Sequence, residues 1–404
     1  MKILYVTARL PYPPLYGDQV RALNHLRILG RRHEVTLLSF VAGRASDEAL
    51  ARLSPFCRQI VTVPRHRSQK VIGCLRGALS RYPFQTLFHQ SGSMARAVRQ
   101  QMAAGGFDLV HVQLVRMAPY FEAAAHVPRV LDLIDALSMN MERRSRRERG
   151  LLKAAALIER KRLVAYEREV CRDYDQAAVV SSLDRAAIGD FPNLHTIPMG
   201  VDLDEFRFQR SGRQPNSIVF SGNMGYFPNV DAAKWFAGEV LPLVKSQIPD
   251  VHLTIVGAHP HPAVQRLAES DPAVTVTGFV KDMHAYLDRA AIAVVPLRAG
   301  SGMQIKVIES MATGTPLVAT SFGLGGIDVV GGRHLLIADE PEAFASHVVG
   351  LLRNGDLQNT LATGARRLVE EKYTWERSAA MFDEMYGLAL AAHAPATHLA
   401  RKAA

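Results

Sequence analysis

The chain has 404 residues, 48% of them hydrophobic and 21% charged, the balance of a soluble globular protein with more than one core to fill, so two domains are expected. Its three cysteines, Cys57, Cys74 and Cys171, have neither metal-ligand spacing nor the pattern of a disulfide framework, and no apolar run approaches the roughly 20 residues of a membrane span. The net charge of +10 is held unevenly: residues 1–195 carry 30 Lys and Arg against 17 Asp and Glu, a net +13, while residues 196–404 carry 18 against 21, a net −3, so an anionic partner is expected on the first half.

Lys2 to Thr7 reads as a buried strand, too short for the apolar core of a signal peptide; with the cysteine usage this points to a reducing cytoplasm. Pro11, Pro13, Pro14 and Gly17 then make a loop. Asp18 can cap a helix reaching about Leu29, with Val20, Leu23 and Leu26 on its apolar face, and Glu34 to Phe40 is the next strand. This start is Rossmann-like, but one glycine and three prolines do not make the dinucleotide fingerprint, so NAD binding is disfavoured. Phe107 to Gln113 and Arg129 to Asp135 are further strands. His111 lies near the C-terminal end of the first and Asp135 at that of the second, where open α/β sheets take ligands. A histidine on a strand is commonly structural, and Asp135 can either bond an acceptor hydroxyl or cap the helix that follows.

Met141 to Arg172 reads as one basic helix, with Arg143, Arg144, Arg146, Arg147, Arg149, Lys153, Arg160, Lys161, Arg162, Arg168 and Arg172 around Leu151, Leu152, Ile158 and Leu163. It is either a solvated face or a dock for anionic lipid head groups or a pyrophosphate-linked acceptor. No base-reading motif supports nucleic acid. Gln176 to Ser182 is the last strand of this half. Strands at Ser217 to Met224, Val251 to Gly257, Val274 to Gly278, Ala291 to Leu297, Pro316 to Ala319 and His334 to Asp339 alternate with helical patterns, which implies a second parallel sheet. Pro341 to Lys372 is helical, and Trp375 opens a last helix to about Ala391.

The most informative stretch is Gly300 to Thr320. Two glycines interrupt an apolar strand, a helix runs from about Gln304 to Thr313, and Gly314 ends it. The first helical turn offers unpaired N–H groups and partial positive charge, which suits a phosphate. Lys306 lies in that turn and Glu309 three residues on, so both can face one ligand.

Glu309 with Met311-Ala312-Thr313-Gly314-Thr315-Pro316, the segment Ile197-Pro198-Met199-Gly200-Val201-Asp202, Phe220 to Asn229 and Thr277 to Asp282 together resemble the retaining GT-B glycosyltransferases of family four, of the bacterial exopolysaccharide type. The resemblance implies an α/β GT-B fold of two Rossmann-like domains with a C-terminal crossover helix. Residues 1–195, with helix 374–391 packing back, would be the acceptor domain and 196–373 the donor domain, closing on both substrates. It also implies site residues. Gly17 and the Gly222 turn, with Asn223, approach the donor diphosphate. His111 contacts the donor sugar, and Glu309 binds ribose through a carboxylate that accepts two vicinal hydroxyls. Val280, Ser301, Gly302, Met303 and Gln304 line the donor, and Asp135 meets the acceptor. The family's first acidic residue falls at Ser301, and its Arg after the turn glycine falls at Asn223, so Lys306 and Arg298 are the candidate cations for the diphosphate. His111, Lys306 and Glu309 form the expected catalytic group.

The function so implied is metal-independent transfer, with retention, of a sugar from a nucleotide diphosphate to an acceptor hydroxyl. It needs no cofactor, and it would serve exopolysaccharide or lipid-linked glycan synthesis in the cytoplasm or at the inner membrane. The expected partners are a nucleotide-sugar donor, a glycan or lipid-linked acceptor and an anionic membrane surface, not nucleic acid. A nucleotide-sugar epimerase and a non-catalytic sugar- or lipid-binding subunit are the alternatives.

Overall fold

The structure is a computed structural model that describes residues 1–65, 80–122, 124, 126–209, 211–300 and 302–400. The expected donor residue Ser301 and Cys74 lie outside the described residues. The chain divides into two compact units, Met1–Pro198 with Trp375–Ala404, and Met199–Thr374.

In the first unit, β1 (Lys2–Thr7), β2 (Glu34–Val41), β3 (Gln59–Pro64), β4 (Leu109–Gln113), β5 (Arg129–Ile134), β6 (Gln176–Val179) and β7 (Leu194–Thr196) form a parallel sheet in the order β3-β2-β1-β4-β5-β6-β7. Strands β1, β4 and β5 are buried almost throughout, as in a sheet covered on both faces. The helix after β1, α1 (Gly17–Leu29), has Tyr16 at its N-cap, with no side-chain bond there. Asp18 is therefore not the cap; it sits in the first turn, 3.0 Å from the Arg9 guanidinium. Nor is the inward face of α1 purely apolar: Arg21 and His25 are buried beside Ala22, Leu23, Leu26 and Leu29.

Arg21 has no solvent exposure. Its Nε donates to Asp132 Oδ2 at 2.7 Å and its Nη2 to Asp132 Oδ1 at 3.2 Å, which joins α1 to β5. Its remaining N–H groups reach the carbonyls of Ile197 and Pro198, both at 3.0 Å, where the chain leaves the unit. The guanidinium carbon lies 5.3 Å from the Phe382 ring centroid. Phe382 belongs to the C-terminal helix Trp375–Ala400, which runs past the expected end near Ala391 and packs on α1, β5 and β6. Ser378 Oγ on that helix donates to the same Pro198 carbonyl at 3.0 Å, so it must accept from His25 Nε2, 2.9 Å away. Burial, then the Arg21 charge, holds His25 well below its ordinary pKa, so its ring is neutral in this role.

The expected single basic helix is two, Leu137–Arg147 and Gly150–Asp173, separated where Gly150 takes φ +56°. In the second unit, β8 (Gln214–Ser221), β9 (His252–Val256), β10 (Val274–Val276), β11 (Ala290–Val295), β12 (Leu317–Ala319) and β13 (Leu336–Ile337) form a parallel sheet ordered β10-β9-β8-β11-β12-β13. Strand β13 is shorter than expected from its apolar run.

Removing one partner of a buried ion pair leaves the other uncompensated. Asp132→Ala is therefore expected to lower unfolding free energy by about 3–5 kcal/mol, and Arg21→Met with Asp132→Leu together by less than the two single changes summed. Urea unfolding followed by far-UV circular dichroism measures this; a loss below about 1 kcal/mol for Asp132→Ala would show the pair to be incidental.

Candidate functional site

At the end of β8 the chain turns at Gly222, whose φ is +155°. Its neighbour at the end of β9, Gly257, has φ +152°, and a Cβ there would lie 1.6 Å from the Gly222 carbonyl oxygen. The two strand ends thus meet backbone to backbone, which only glycine permits. A Cβ on Gly222 would fall 2.8 Å from Asn229 Nδ2 and 3.0 Å from Lys306 Nζ. The turn is therefore pressed against a cation. Lys306 Nζ donates to Asn229 Oδ1 at 2.6 Å, and Asn229 Nδ2 donates to the Asn223 carbonyl at 2.9 Å. Asn223 Oδ1 in turn accepts from Gly225 N at 3.0 Å. Asn229 carries no charge itself, but it holds the cation of Lys306.

Lys306 stands in the first turn of the helix Ile305–Ala312, which has Gln304 at its N-cap and no side-chain bond to its leading N–H groups. Gln304 Nε2 instead donates to the Gly302 carbonyl at 3.2 Å. Gly302 has φ +70° and carries Met303 into the helix start. The amides of Gly222, Met224 and Gly225 are spent within the fold, so the donors beside the turn that suit phosphate oxygens are the helix N-terminus and the Lys306 ammonium group. Glu309 lies on the same helix. Burial pushes its carboxyl up to about 7 against the pull of His284 and Lys306, with Glu205 adding to the rise. Burial lowers Lys306 to about 8, opposed by Glu309. His284 is held at 3.0 Å from Glu205 Oε1 and edge-on to Phe206 at 3.9 Å. Neither His284 nor Glu205 stands out in the sequence. Each lies far along the chain from Glu309, with no motif linking them to it.

The other expected residues are placed differently. Arg298 is paired with Asp231 at 3.2 Å, and its guanidinium carbon lies 5.3 Å from the Trp235 ring, both on the helix Phe227–Trp235. Val280 lines a cavity of about 520 Å³ with Ser217, Asp282, Tyr286 and Arg289, and neither Lys306 nor Glu309 borders it. Gly17 opens α1, exposed, with open space where a Cβ would stand, so the fold itself does not require glycine there.

His111 corrects the expectation most clearly. It has no exposure. Its ring stacks on Tyr5 at 4.2 Å, its Nδ1 is 2.8 Å from the Tyr386 hydroxyl, and Phe382 closes a further side at 5.1 Å. Burial, then Arg21, pushes its pKa down to about 3. The C-terminal helix covers this ring, so a sugar contact is closed to it and its place is structural. Asp135 is half-buried beyond β5, and burial, then the Asp184 carboxylate, pushes it up to about 7. It does not cap the next helix, whose N-cap is Ala136; the Ala136 amide bonds Asp184 instead. Among the described residues no group of three or more His, Cys, Asp or Glu is arranged to hold a metal, and no helix is long and apolar enough to cross a membrane.

Residues 215–354, most of the second unit, match the family model described as Glycosyl transferases group 1. An uncharacterized 44.6 kDa protein in the cps region of Klebsiella pneumoniae is 21% identical over 392 residues, 92% of this chain and 96% of that protein. D-inositol 3-phosphate glycosyltransferase 2 of Catenulispora acidiphila is 30% identical over 260 residues, 57% of this chain and 58% of its own length. Among solved structures, Anabaena HepE in complex with UDP superposes with a TM-score of 0.66 at 15% identity, over 96% of this chain and all of that one. The fold is GT-B, and the protein is a glycosyltransferase enzyme. The alternative of a non-catalytic subunit gives way.

The two glycines separate fold from ligand. Gly257→Ala is expected to lower stability by on the order of 3 kcal/mol, because a backbone oxygen occupies the position of the new methyl group. Gly17→Ala is expected to leave the melting temperature unchanged or slightly raised. Thermal unfolding of both variants checks this; a stable Gly257→Ala protein would mean that the β8 and β9 ends do not meet as described.

Proposed function

We propose that the enzyme moves a sugar from a nucleotide diphosphate sugar to an acceptor hydroxyl, with retention and without a metal, in the synthesis of a surface or lipid-linked glycan. The observation that carries this is Lys306 set against the Gly222 turn at the start of a helix, with Glu309 beside it, inside the region that matches group 1 glycosyl transferases. As the glycosidic bond lengthens, negative charge gathers on the leaving diphosphate. Lys306 and the leading N–H groups of its helix are positioned to stabilise that charge without reorganising. Glu309, when ionised, accepts both hydroxyls of the ribose. Since positive charge comes from the chain itself, the reading calls for no metal. Retention follows the resemblance to family four, and the cps-region relative supports a polysaccharide setting. We assign the first unit to the acceptor, with Asp135 bonding its hydroxyl. The epimerase alternative would require acid and base groups at the sugar that the Lys306–Glu309 set does not supply.

The reading has a pH signature. Nucleotide diphosphate affinity is expected to peak between about pH 7, below which Glu309 takes up a proton, and about pH 8, above which Lys306 loses its charge. Calorimetry from pH 5.5 to 9.5 would follow it. Lys306→Arg should extend binding to higher pH and Glu309→Gln should flatten the acid side while weakening affinity about tenfold. Unchanged profiles in both variants would sink the assignment.

The acceptor assignment extends to a membrane surface at the cytoplasmic face. On the helix Gly150–Asp173, Leu151 is 89% exposed, with Leu152, Leu157 and Ile158 also bare, and Arg149, Lys153 and Lys161 stand exposed among them. Several other arginines of the segment are paired, Arg146 and Arg160 with Glu142 and Arg144 with Glu148, so the effective charge is smaller than the sequence count. Arg149, Lys153 and Lys161, unpaired among the described residues, at roughly 1 kcal/mol each, with leucines to insert, give salt-sensitive binding to anionic lipid. Sedimentation should recover the protein with anionic but not neutral vesicles, less so at high salt, and less still for Leu151→Ser with Lys153→Gln. Equal recovery with both vesicle types would return this face to solvent.

A further inference from the structure

The first sheet carries a second concentration of charge that no part of this mechanism uses. Its strand order runs outward from β1 to β3 and then restarts on the other side of β1 with β4. Such a reversal opens a crevice at the carboxyl ends of the two strands, the usual place for a ligand in an open α/β sheet. Arginines follow these strand ends: Arg9 two residues after β1, Arg116 three after β4, and Arg65 directly after β3. All three are half-buried. Arg9 lies 3.0 Å from Asp18 and its guanidinium carbon 4.6 Å over the Tyr16 ring. Arg116 Nη2 donates to Gln85 Oε1 at 2.8 Å, while its Nε is buried with no hydrogen-bond partner among the described residues. Arg65 Nη2 donates to the Phe88 carbonyl at 3.0 Å.

His89, on the same segment as Gln85 and Phe88, completes the group. Burial, then Arg116 and Arg65, pushes it down to about 3, so it adds no charge. Its Nδ1 is 2.9 Å from the Gln85 carbonyl, which fixes the proton there and leaves the Nε2 lone pair toward Arg65 Nη1 at 3.4 Å. Burial, then the neighbouring arginines, holds Arg65 and Arg116 below the ordinary guanidinium value. The carboxylates facing this group are Asp18 and Asp135, the latter pushed up to about 7. Positive charge is therefore in excess, at fixed positions, along the carboxyl ends of the sheet's strands.

We propose that Arg9 and Arg116, backed by Arg65, bind an anionic group carried by the sugar acceptor: a phosphate, a pyrophosphate or a carboxylate. Planar guanidinium forks match the oxygens of these groups, and the unpartnered Arg116 Nε supplies a donor already stripped of water. The donor's diphosphate has its own cation in Lys306, on the other unit. Only the word acceptor rests on the transferase reading; the anion site stands without it.

Inorganic pyrophosphate is the probe, titrated calorimetrically into the full chain. In a Lys306→Ala background, which removes the cation assigned to the donor diphosphate, affinity is expected to persist, to fall about tenfold or more on adding Arg9→Gln or Arg116→Gln, and to be unaffected by the surface control Arg44→Gln. Arg9 is partly exposed, so its variant folds even if Arg116→Gln does not, and Arg116→Lys should keep part of the binding. Pyrophosphate binding that survives both arginine changes but vanishes in Lys306→Ala overturns the proposal. A second measurement separates the two sources of the anion. Acceptor-free hydrolysis of the nucleotide sugar should be unchanged in Arg9→Gln; a matching loss would assign the arginines to the donor and overturn the acceptor role. Arginine-dependent pyrophosphate binding in a protein that turns over no nucleotide sugar would uphold the anion site and defeat the transferase reading alone.

Discussion

A guanidinium shut away from water ties together parts of the first unit that lie far apart in the chain. Arg21 reaches Asp132, 111 residues on, and the Pro198 carbonyl, 177 residues on. A lysine at this position would present a single point charge. The arginine fork spends two N–H groups on one carboxylate and still reaches two carbonyls in other directions. Its burial dictates what surrounds it. His25 and His111 must stay neutral beside it, and the aromatic rings of the C-terminal helix close over it. That helix is held to the unit in which the chain began because its Phe382, Met385 and Tyr386 share one core with Ile3, Tyr5 and Leu26 of β1 and α1.

The second unit solves a different problem, bringing a cation and a carboxylate beside a glycine turn without letting them collapse into an ion pair. Both sit on one helix, Lys306 in its first turn. The ammonium group is turned to Asn229, whose amide passes the constraint on to Asn223. The carboxylate feels the charges of His284, Lys306 and Glu205. Glycines at 222 and 257 remove the side chains that would otherwise fill the space. Partial desolvation brings both groups close to neutrality in pKa, and it also makes their interaction with a bound anion or hydroxyl stronger than it would be in water.

Charge in the first unit is divided by environment into three kinds. Arg21 is internal and fully compensated. Arg144, Arg146, Arg149, Arg168 and Arg172, on and beside the basic helices, face solvent, and Arg144, Arg146 and the half-buried Arg160 are paired with Glu148 or Glu142. Arg9, Arg65 and Arg116 are intermediate: Arg9 is paired with Asp18, Arg65 and Arg116 are anchored by neutral acceptors, and the three are close enough to repel one another and outnumber the carboxylates in reach. A net +13 over the first half conceals these differences.

Periodicity and glycine placement alone determined that the chain is two parallel α/β sheets, because strand runs, helix stops and the turn at Gly222 are local events governed by nearby residues. They also singled out Lys306 and Glu309, whose three-residue spacing on a helix puts them together whatever surrounds them. Tertiary structure decided the rest. His111 has the same sequence neighbours whether it faces a ligand or a core, and only the return of Tyr386 and Phe382 from the end of the chain makes it structural. Arg298 reads as a free cation until Asp231 is folded against it. Arg9, Arg65 and Arg116 belong to separate stretches, and it is the strand order, not the sequence order, that places them at one edge. Each of these depends on contacts between residues far apart in the chain, and burial and charge pairing are set by those contacts.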